Sequence, residues 1–153
     1  MTTRPIPDDL SACSVLLVDD NEHNLELLLA YMDDLGCELR SARDGVEALE
    51  SVAAAKPDLI LLDVMMPRMS GFQVCSRLKS DPATKGIPIV MVTALNEVSD
   101  VERAVESGAD DFLTKPVNKL ELTTRVRSLL KVGQLQRQLQ QTLAELRRLN
   151  PGQ

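Results

Sequence analysis

Leu59-Ile60-Leu61-Leu62-Asp63-Val64-Met65-Met66-Pro67 is the stretch that decides how the rest of the chain is read. Four apolar residues run into a single carboxylate, and a proline closes the run. A short segment that is apolar at every position suits a strand buried on both faces, as in a parallel sheet covered by helices. Such a strand offers one place for chemistry, its carboxyl end, and Asp63 stands there. The plainer reading of Asp63 is a turn or capping aspartate after a core strand.

Working outward, Ser14-Val15-Leu16-Leu17-Val18 repeats the pattern and ends in Asp19-Asp20. Asn21 can cap a helix in which Leu25, Leu28, Leu29, Met32 and Leu35 recur at helical spacing, up to Gly36. Glu38 to Ala42 reads as a shorter, more polar strand near a sheet edge. Asp44-Gly45 then turns into a helix from Val46 to Ala54. Downstream, Ser70-Gly71 opens a helix carrying Phe72, Cys75 and Leu78, which Ser80-Asp81-Pro82 breaks. Pro88 to Thr93 is a fourth strand. It is followed by a helix with Val98, Val101, Ala104 and Val105 that stops at Gly108. Asp111 to Thr114 is a fifth strand, and a last helix begins near Asn118.

Strands alternating with helices predict an α/β domain with a doubly wound, five-stranded parallel sheet and right-handed crossovers. Ligands of such sheets bind outside the carboxyl ends of the strands. Asp19, Asp20, Asp63, Thr93 and Lys115 all fall at that edge, which solvation alone does not account for.

At 153 residues and 44% hydrophobic, the chain suits one domain with length to spare. Aromatics are only 2%, so the core must be built from Leu, Val, Ile, Ala and Met. A net charge of −6 argues against direct nucleic-acid binding, which needs clustered Lys and Arg. Cys13, Cys37 and Cys75 are far apart, outside any CxxC spacing and without a histidine cluster. They read as reduced packing thiols of a cytoplasmic protein rather than a zinc site. Neither a signal peptide nor an apolar run of membrane-spanning length is visible.

Crowded carboxylates repel each other and call for a counter-charge. A hard cation such as Mg²⁺ takes oxygen ligands and keeps several waters. Asp20 and Asp63 are the favoured direct ligands, with Asp19 holding a metal-bound water; a solvated helix cap is the plainer reading of Asp19-Asp20. Lys115 adds a point charge and Thr93 a hydroxyl donor. Around Asp63, such a set makes a receptor for a phosphoryl group carried on that carboxylate.

Val15-Leu16-Leu17-Val18-Asp19-Asp20-Asn21, Leu61-Leu62-Asp63-Val64-Met65-Met66-Pro67, Val92-Thr93-Ala94 and Phe112-Leu113-Thr114-Lys115-Pro116 together resemble the receiver domain of two-component response regulators. Asp44-Gly45, Ser70-Gly71 and Gly108-Ala109-Asp110 match as well, and the resemblance covers about Ser14 to Lys131. It implies a CheY-like, flavodoxin-like fold with strand order 2-1-3-4-5. It implies that Asp63 accepts a phosphoryl group from a histidine kinase or a histidine phosphotransfer protein. Asp19 and Asp20 would form an acidic pocket for Mg²⁺, with Asp63 and the backbone carbonyl of Met65 completing the protein ligands. Thr93 would be the switch hydroxyl, Lys115 the phosphoryl-binding cation and Phe112 the aromatic switch. Lys115-Pro116 would be a cis peptide. Such a module is not an enzyme beyond its own phosphotransfer and self-dephosphorylation. Met65 and Leu95, both apolar, would flank the path of an attacking water and slow the loss of phosphate.

Three segments follow: a flexible lead-in at 1–13, a receiver domain at 14–131, and an amphipathic helical extension at 132–153. In the extension, Val132, Leu139 and Leu146 fit heptad position a. Leu135, Thr142 and Leu149 then fall at d, a short coiled coil with one imperfect position. Gly133 weakens the helix near the junction, and Asn150-Pro151-Gly152 ends it. The apolar stripe suits a homodimer through this helix; the alternative is a tail packed on its own domain. The extension equally suits a linker to a cyclase, phosphatase or kinase domain, with the chain an excised module. His23, the only histidine, opens the first helix and carries no assigned role. An aspartyl-phosphate phosphatase of the haloacid-dehalogenase type would need a D-x-D pattern after the first strand, and a flavodoxin-like nucleotide binder a Ser/Thr/Gly-rich loop. The chain has adjacent Asp19-Asp20 there instead.

Overall fold

Asp63 closes a strand buried along its whole length, in the middle of a five-stranded parallel sheet. The computed structural model describes residues 10–94 and 98–150. The strands are β1 (Ser14–Val18), β2 (Glu38–Ala42), β3 (Leu59–Asp63), β4 (Ile89–Thr93) and β5 (Asp111–Thr114). They lie in the order β2-β1-β3-β4-β5, all pairs parallel. The helices are α1 (Glu22–Met32), α2 (Gly45–Ala54), α3 (Gly71–Ser80), α4 (Val98–Glu106) and α5 (Lys119–Leu149). The expected strand order therefore holds, and its reversal lies between β1 and β3, where the loops diverge and leave a crevice.

Alternation along β3 divides the core. Leu59 and Leu61 face one layer with Leu25, Leu28, Val126 and Leu130 of α1 and α5. Ile60 and Leu62 face the other with Val52, Val74, Cys75 and Ala104 of α2, α3 and α4. Each such buried side chain contributes about 1.5–3 kcal/mol, which explains why this strand has no polar residue before its last position.

Side-chain caps fix where four helices begin. Asn21 accepts from the Asn24 N–H, Asp44 from Glu47 and Asn118 from Glu121, while Ser70 and Gln73 form a reciprocal capping box. Gly36 closes the turn after α1 with φ of 75°, a left-handed conformation that glycine adopts without strain.

Two expectations change. Of the lead-in, residues 1–9 lie outside the described residues, but Leu10 and Cys13 are buried in the core. The Cys13 N–H donates to the Leu10 carbonyl, and the Cys13 carbonyl accepts from Glu38 at the start of β2. Val105 is not a core residue of α4; it is exposed while Ala104 beside it is buried. All three cysteines are free thiols.

Helix α5 runs unbroken through Gly133 to Leu149. The Asp58 carboxylate, just before β3, accepts the Ser14 N–H at 2.7 Å and the Arg137 guanidinium at 2.8 Å. Gln134 Nε2 donates to Cys13 Sγ at 3.5 Å. The helix is thus tied to the amino edge of the sheet past residue 131, and its free part starts beyond Arg137. Among the described residues, no helix is long and apolar enough to cross a membrane.

Candidate functional site

The carboxyl ends of β1, β3 and β5 converge on one acidic cluster. Asp19 follows β1 and is 1% exposed, Asp63 ends β3 and is 3% exposed, and Asp20 points to solvent. One carboxylate oxygen from each lies within 4.8 Å of the others. Lys115 follows β5, and its Nζ stands 3.2 Å from Asp63 Oδ1 and 3.4 Å from Asp19 Oδ2. The strand ends themselves are cross-braced. The Lys115 N–H donates to the Thr93 carbonyl at 2.8 Å, and the Val64 N–H to the Val92 carbonyl at 3.3 Å. The Lys115-Pro116 peptide is cis, as the resemblance implied.

One lysine does not balance this cluster. Burial, and then the charge of Asp19, push the Asp63 carboxyl up to about 6, while Lys115 and the Met65 N–H pull it back. Asp19 Oδ1 is held by the Asn21 N–H at 2.9 Å. The remaining demand is for a positive charge that takes hard oxygen ligands. Asp19, Asp20 and Asp63 offer only carboxylates, with no sulfur or imidazole among them, so the donor set fits a Mg²⁺-like cation and not zinc.

Thr93 is buried at the end of β4, and Phe112 on β5 is half-buried in the layer of α3 and α4. Thr93, Phe112, Val64, Met91 and Ala104 line a small cavity between them, of about 10 Å³. It holds at most one water. Met65 lies in the loop after Asp63 and is 60% exposed. Leu95 lies outside the described residues.

On the flank of Lys115, a groove of about 430 Å³ runs between α1 and the segment after β5. Leu27, Tyr31, Pro116 and Val117 line it, and Leu27 is an exposed leucine.

Sequence reasoning missed three supports of the site. Gly71 packs on the strand end: its N–H donates to the Val64 carbonyl at 2.9 Å, and a Cβ there would sit 2.3 Å from the Asp63 carbonyl oxygen. Asp110 accepts the Ile89 N–H at 2.7 Å and Lys79 Nζ at 2.9 Å, which anchors the start of β4. Asp58 does the same for β1 and α5. Gly71 and Asp110 sat in quoted motifs, but nothing in the spacing says what they touch.

This fold and site define a receiver module. The chain belongs to the response regulator receiver domain family, which it matches over residues 15–127. It is 47% identical to the response regulator PleD of Caulobacter vibrioides over 135 residues, covering 88% of this chain and 30% of that protein. It is 39% identical to the DNA-binding dual master transcriptional regulator RpaA of Synechocystis over 117 residues, covering 76% of this chain and 48% of the relative. Among solved structures, the chemotaxis protein CheY4 of Vibrio cholerae superposes with a TM-score of 0.72 at 31% identity, covering 76% of this chain and 98% of that one. The chain spans less than half the length of these two curated relatives.

Proposed function

We propose that this chain is a phosphorylation-dependent switch with Asp63 as its phosphoacceptor. The observation that carries the reading is the pairing of buried Asp63 with Lys115 at 3.2 Å inside a three-carboxylate cluster. A carboxylate pushed up to about 6 is still ionised at neutral pH and available as a nucleophile.

The donor is a phosphohistidine of a histidine kinase or phosphotransfer protein. An Asp63 oxygen attacks phosphorus, the P–N bond breaks, and the imidazole leaves with the bonding electron pair. Lys115 takes one phosphoryl oxygen. The Thr93 hydroxyl donates to another once the loop after β4 moves inward. Asp19, Asp20, Asp63 and the Met65 carbonyl would hold Mg²⁺, which would supply positive charge against the phosphoryl oxygens. Movement of Thr93 enlarges the small cavity it shares with Phe112, and the ring turns further in. That alters the surface of α4, β5 and α5. The groove beside Lys115 is the surface we assign to the donor's helix. The exposed apolar side of α5 is assigned to a second copy of this chain. Beyond its own phosphoryl transfer and loss, we assign the chain no turnover, and we place it in the cytoplasm with its donor.

A second reading is favoured by one observation, the chain's coverage of only 30% of PleD and 48% of RpaA. In that reading this chain is the receiver portion of a larger cyclase, phosphatase or hybrid kinase.

The test is intact mass after acetyl phosphate and Mg²⁺. One phosphoryl adduct is expected on the native chain and none on Asp63→Asn. An adduct that survives in Asp63→Asn, or none on the native chain even with a kinase donor, overturns the assignment. A second expectation concerns lifetime. Met65→Asn, which can position a water, is expected to speed phosphate loss on the order of tenfold, about 1.4 kcal/mol in barrier. Decay of the adduct followed by mass checks it, and an unchanged rate sinks the idea that an apolar residue 65 protects the acyl phosphate.

A further inference from the structure

Cys13 and Cys37 stand opposite one another at the amino edge of the sheet. β1 and β2 pair with Ser14 against Glu38, so the step before sets residue 13 against residue 37. The Glu38 N–H donates to the Cys13 carbonyl at 2.9 Å, the bond a parallel ladder makes when those two residues are partners. Their side chains share one face, the layer of α1 and α5. Cys13 is buried in it with Val15 and Leu17, and Cys37 packs against it with Leu39. Cys75 is out of reach, in the layer on the other side of the sheet.

Neighbouring strands lie about 4.8 Å apart, inside the Cα separation of about 4.4–6.8 Å that a disulfide spans. Both residues precede their strands. Gly36, next to Cys37, has a left-handed φ of 75°, and a Cβ there would meet nothing within 4 Å. The chain before β2 therefore has room for the small shift that brings the sulfurs together. Access is one-sided. Cys37 is half-buried and Cys13 is buried, so a reagent meets Cys37 first and Cys13 is the resolving thiol. Burial pushes both thiols up, and the charge of Asp58 adds to this at Cys13. Neither thiol is activated, so the pair answers a sustained oxidising poise and not a brief pulse of oxidant.

We propose that Cys13 and Cys37 are a reversible intramolecular disulfide site, closed by exchange with a small-molecule disulfide. The Cys37 thiolate attacks one sulfur of the reagent, the reagent's S–S bond breaks, and one thiolate leaves with the electron pair. The Cys13 thiolate then attacks Cys37 Sγ, and the second thiolate leaves. Two protein thiols become one disulfide, the reagent is reduced to two thiols, and the two protons lost by the chain end on them. The site also reaches α5, because Cys13 Sγ is the acceptor for Gln134 Nε2. Turning that sulfur towards Cys37 withdraws it from Gln134, one of the ties that hold the helix beyond residue 131.

The test treats the full native chain with excess glutathione disulfide, then unfolds it with an alkylating reagent and counts thiols by intact mass. Of the three thiols, one is expected to remain, and peptide mapping is expected to link residues 13 and 37. Cys13→Ser is expected to stop at a glutathione adduct on Cys37. Three thiols left on the native chain, an adduct that persists there beside a free Cys13, a link through Cys75 or a link between two chains overturns the site. Exchange carried out in urea, where the register is lost, is expected to spread the links over the other cysteine pairs as well; exclusive pairing of residues 13 and 37 there overturns the argument from register. Hydrogen exchange reads the effect on α5. Amides around Gln134 are expected to exchange severalfold faster in the oxidised chain than in the reduced one, and equal rates overturn the link to the helix.

Discussion

Asp63→Asn is expected to be more stable than the native chain in metal-free buffer at pH 7.5, by on the order of 3 kcal/mol. The Asp63 carboxyl is pushed up to about 6 because it is buried beside Asp19 with one lysine to share. The sign follows from proton binding. Between about pH 4 and 6 the folded chain holds a proton at Asp63 that the unfolded chain has released. Stability therefore falls as pH rises through that window, and the full cost is present above it. Asparagine keeps the shape and a hydrogen bond to offer but carries no charge. The gain is then largest above pH 6, about half as large near pH 5, and absent below about pH 4. For a chain of this size, 3 kcal/mol corresponds to roughly 6–12 °C in Tm. Urea unfolding followed by circular dichroism at pH 5.0 and 7.5 checks it. Millimolar Mg²⁺ is expected to raise the native chain towards the mutant and to leave the mutant nearly unmoved, since binding to the folded state alone stabilises it. A mutant no more stable than the native chain at pH 7.5 would mean that Asp63 carries no charge strain. The counter-ion argument for the site would then fail with it.

The same strain explains why the site could be read from sequence at all. A strand such as Leu59–Asp63 is forced to be apolar by burial on both faces, so its one carboxylate stands out. Asp19-Asp20 are legible for the same reason, because they follow the buried apolar run Val15–Val18, whereas Lys115 follows the more polar Asp111–Thr114 and was read from its place at the strand end. The helix starts were legible because Asn21, Asp44, Ser70 and Asn118 act within three residues of themselves. What escaped were contacts made at long range. Leu10 looked like part of a polar lead-in because one leucine carries no periodicity. Its burial is decided by the layer of α1 and α5 that closes over it. Arg137 looked like one more charge on a Gln-rich tail, yet it meets Asp58, 79 positions away. That contact decides which side of α5 is left exposed. The leucine spacing was visible; the docked face was not.

Gly71→Ala is expected to cost about 2–4 kcal/mol and to weaken Mg²⁺ binding at least tenfold, though residue 71 has no side chain and offers no ligand. A Cβ on residue 71 would lie 2.3 Å from the Asp63 carbonyl oxygen and 2.9 Å from Val64 Cα. Both are backbone atoms, so no rotamer change relieves the clash. Overpacking of this kind costs about 1–3 kcal/mol, and losing the Gly71 N–H bond to the Val64 carbonyl adds about 1. Relief requires the segment from Val64 to Ser70 to lift off the strand end. That segment carries Met65, whose N–H holds the Asp63 carboxylate and whose carbonyl we assign to the cation. Displacing it loosens two contacts with one movement. Gly133→Ala is the control. A Cβ there meets nothing within 4 Å, and in mid-helix alanine is favoured over glycine by about 0.5–1 kcal/mol. That substitution is expected to stabilise the chain slightly and to leave cation binding unchanged. Urea unfolding and Mg²⁺ titration by calorimetry on both variants separate a general packing loss from damage at the site. If Gly71→Ala costs under 1 kcal/mol and binds Mg²⁺ as the native chain does, the loop after β3 is not what positions Asp63. Placement of the carboxylate would then rest on the strand and Lys115 alone.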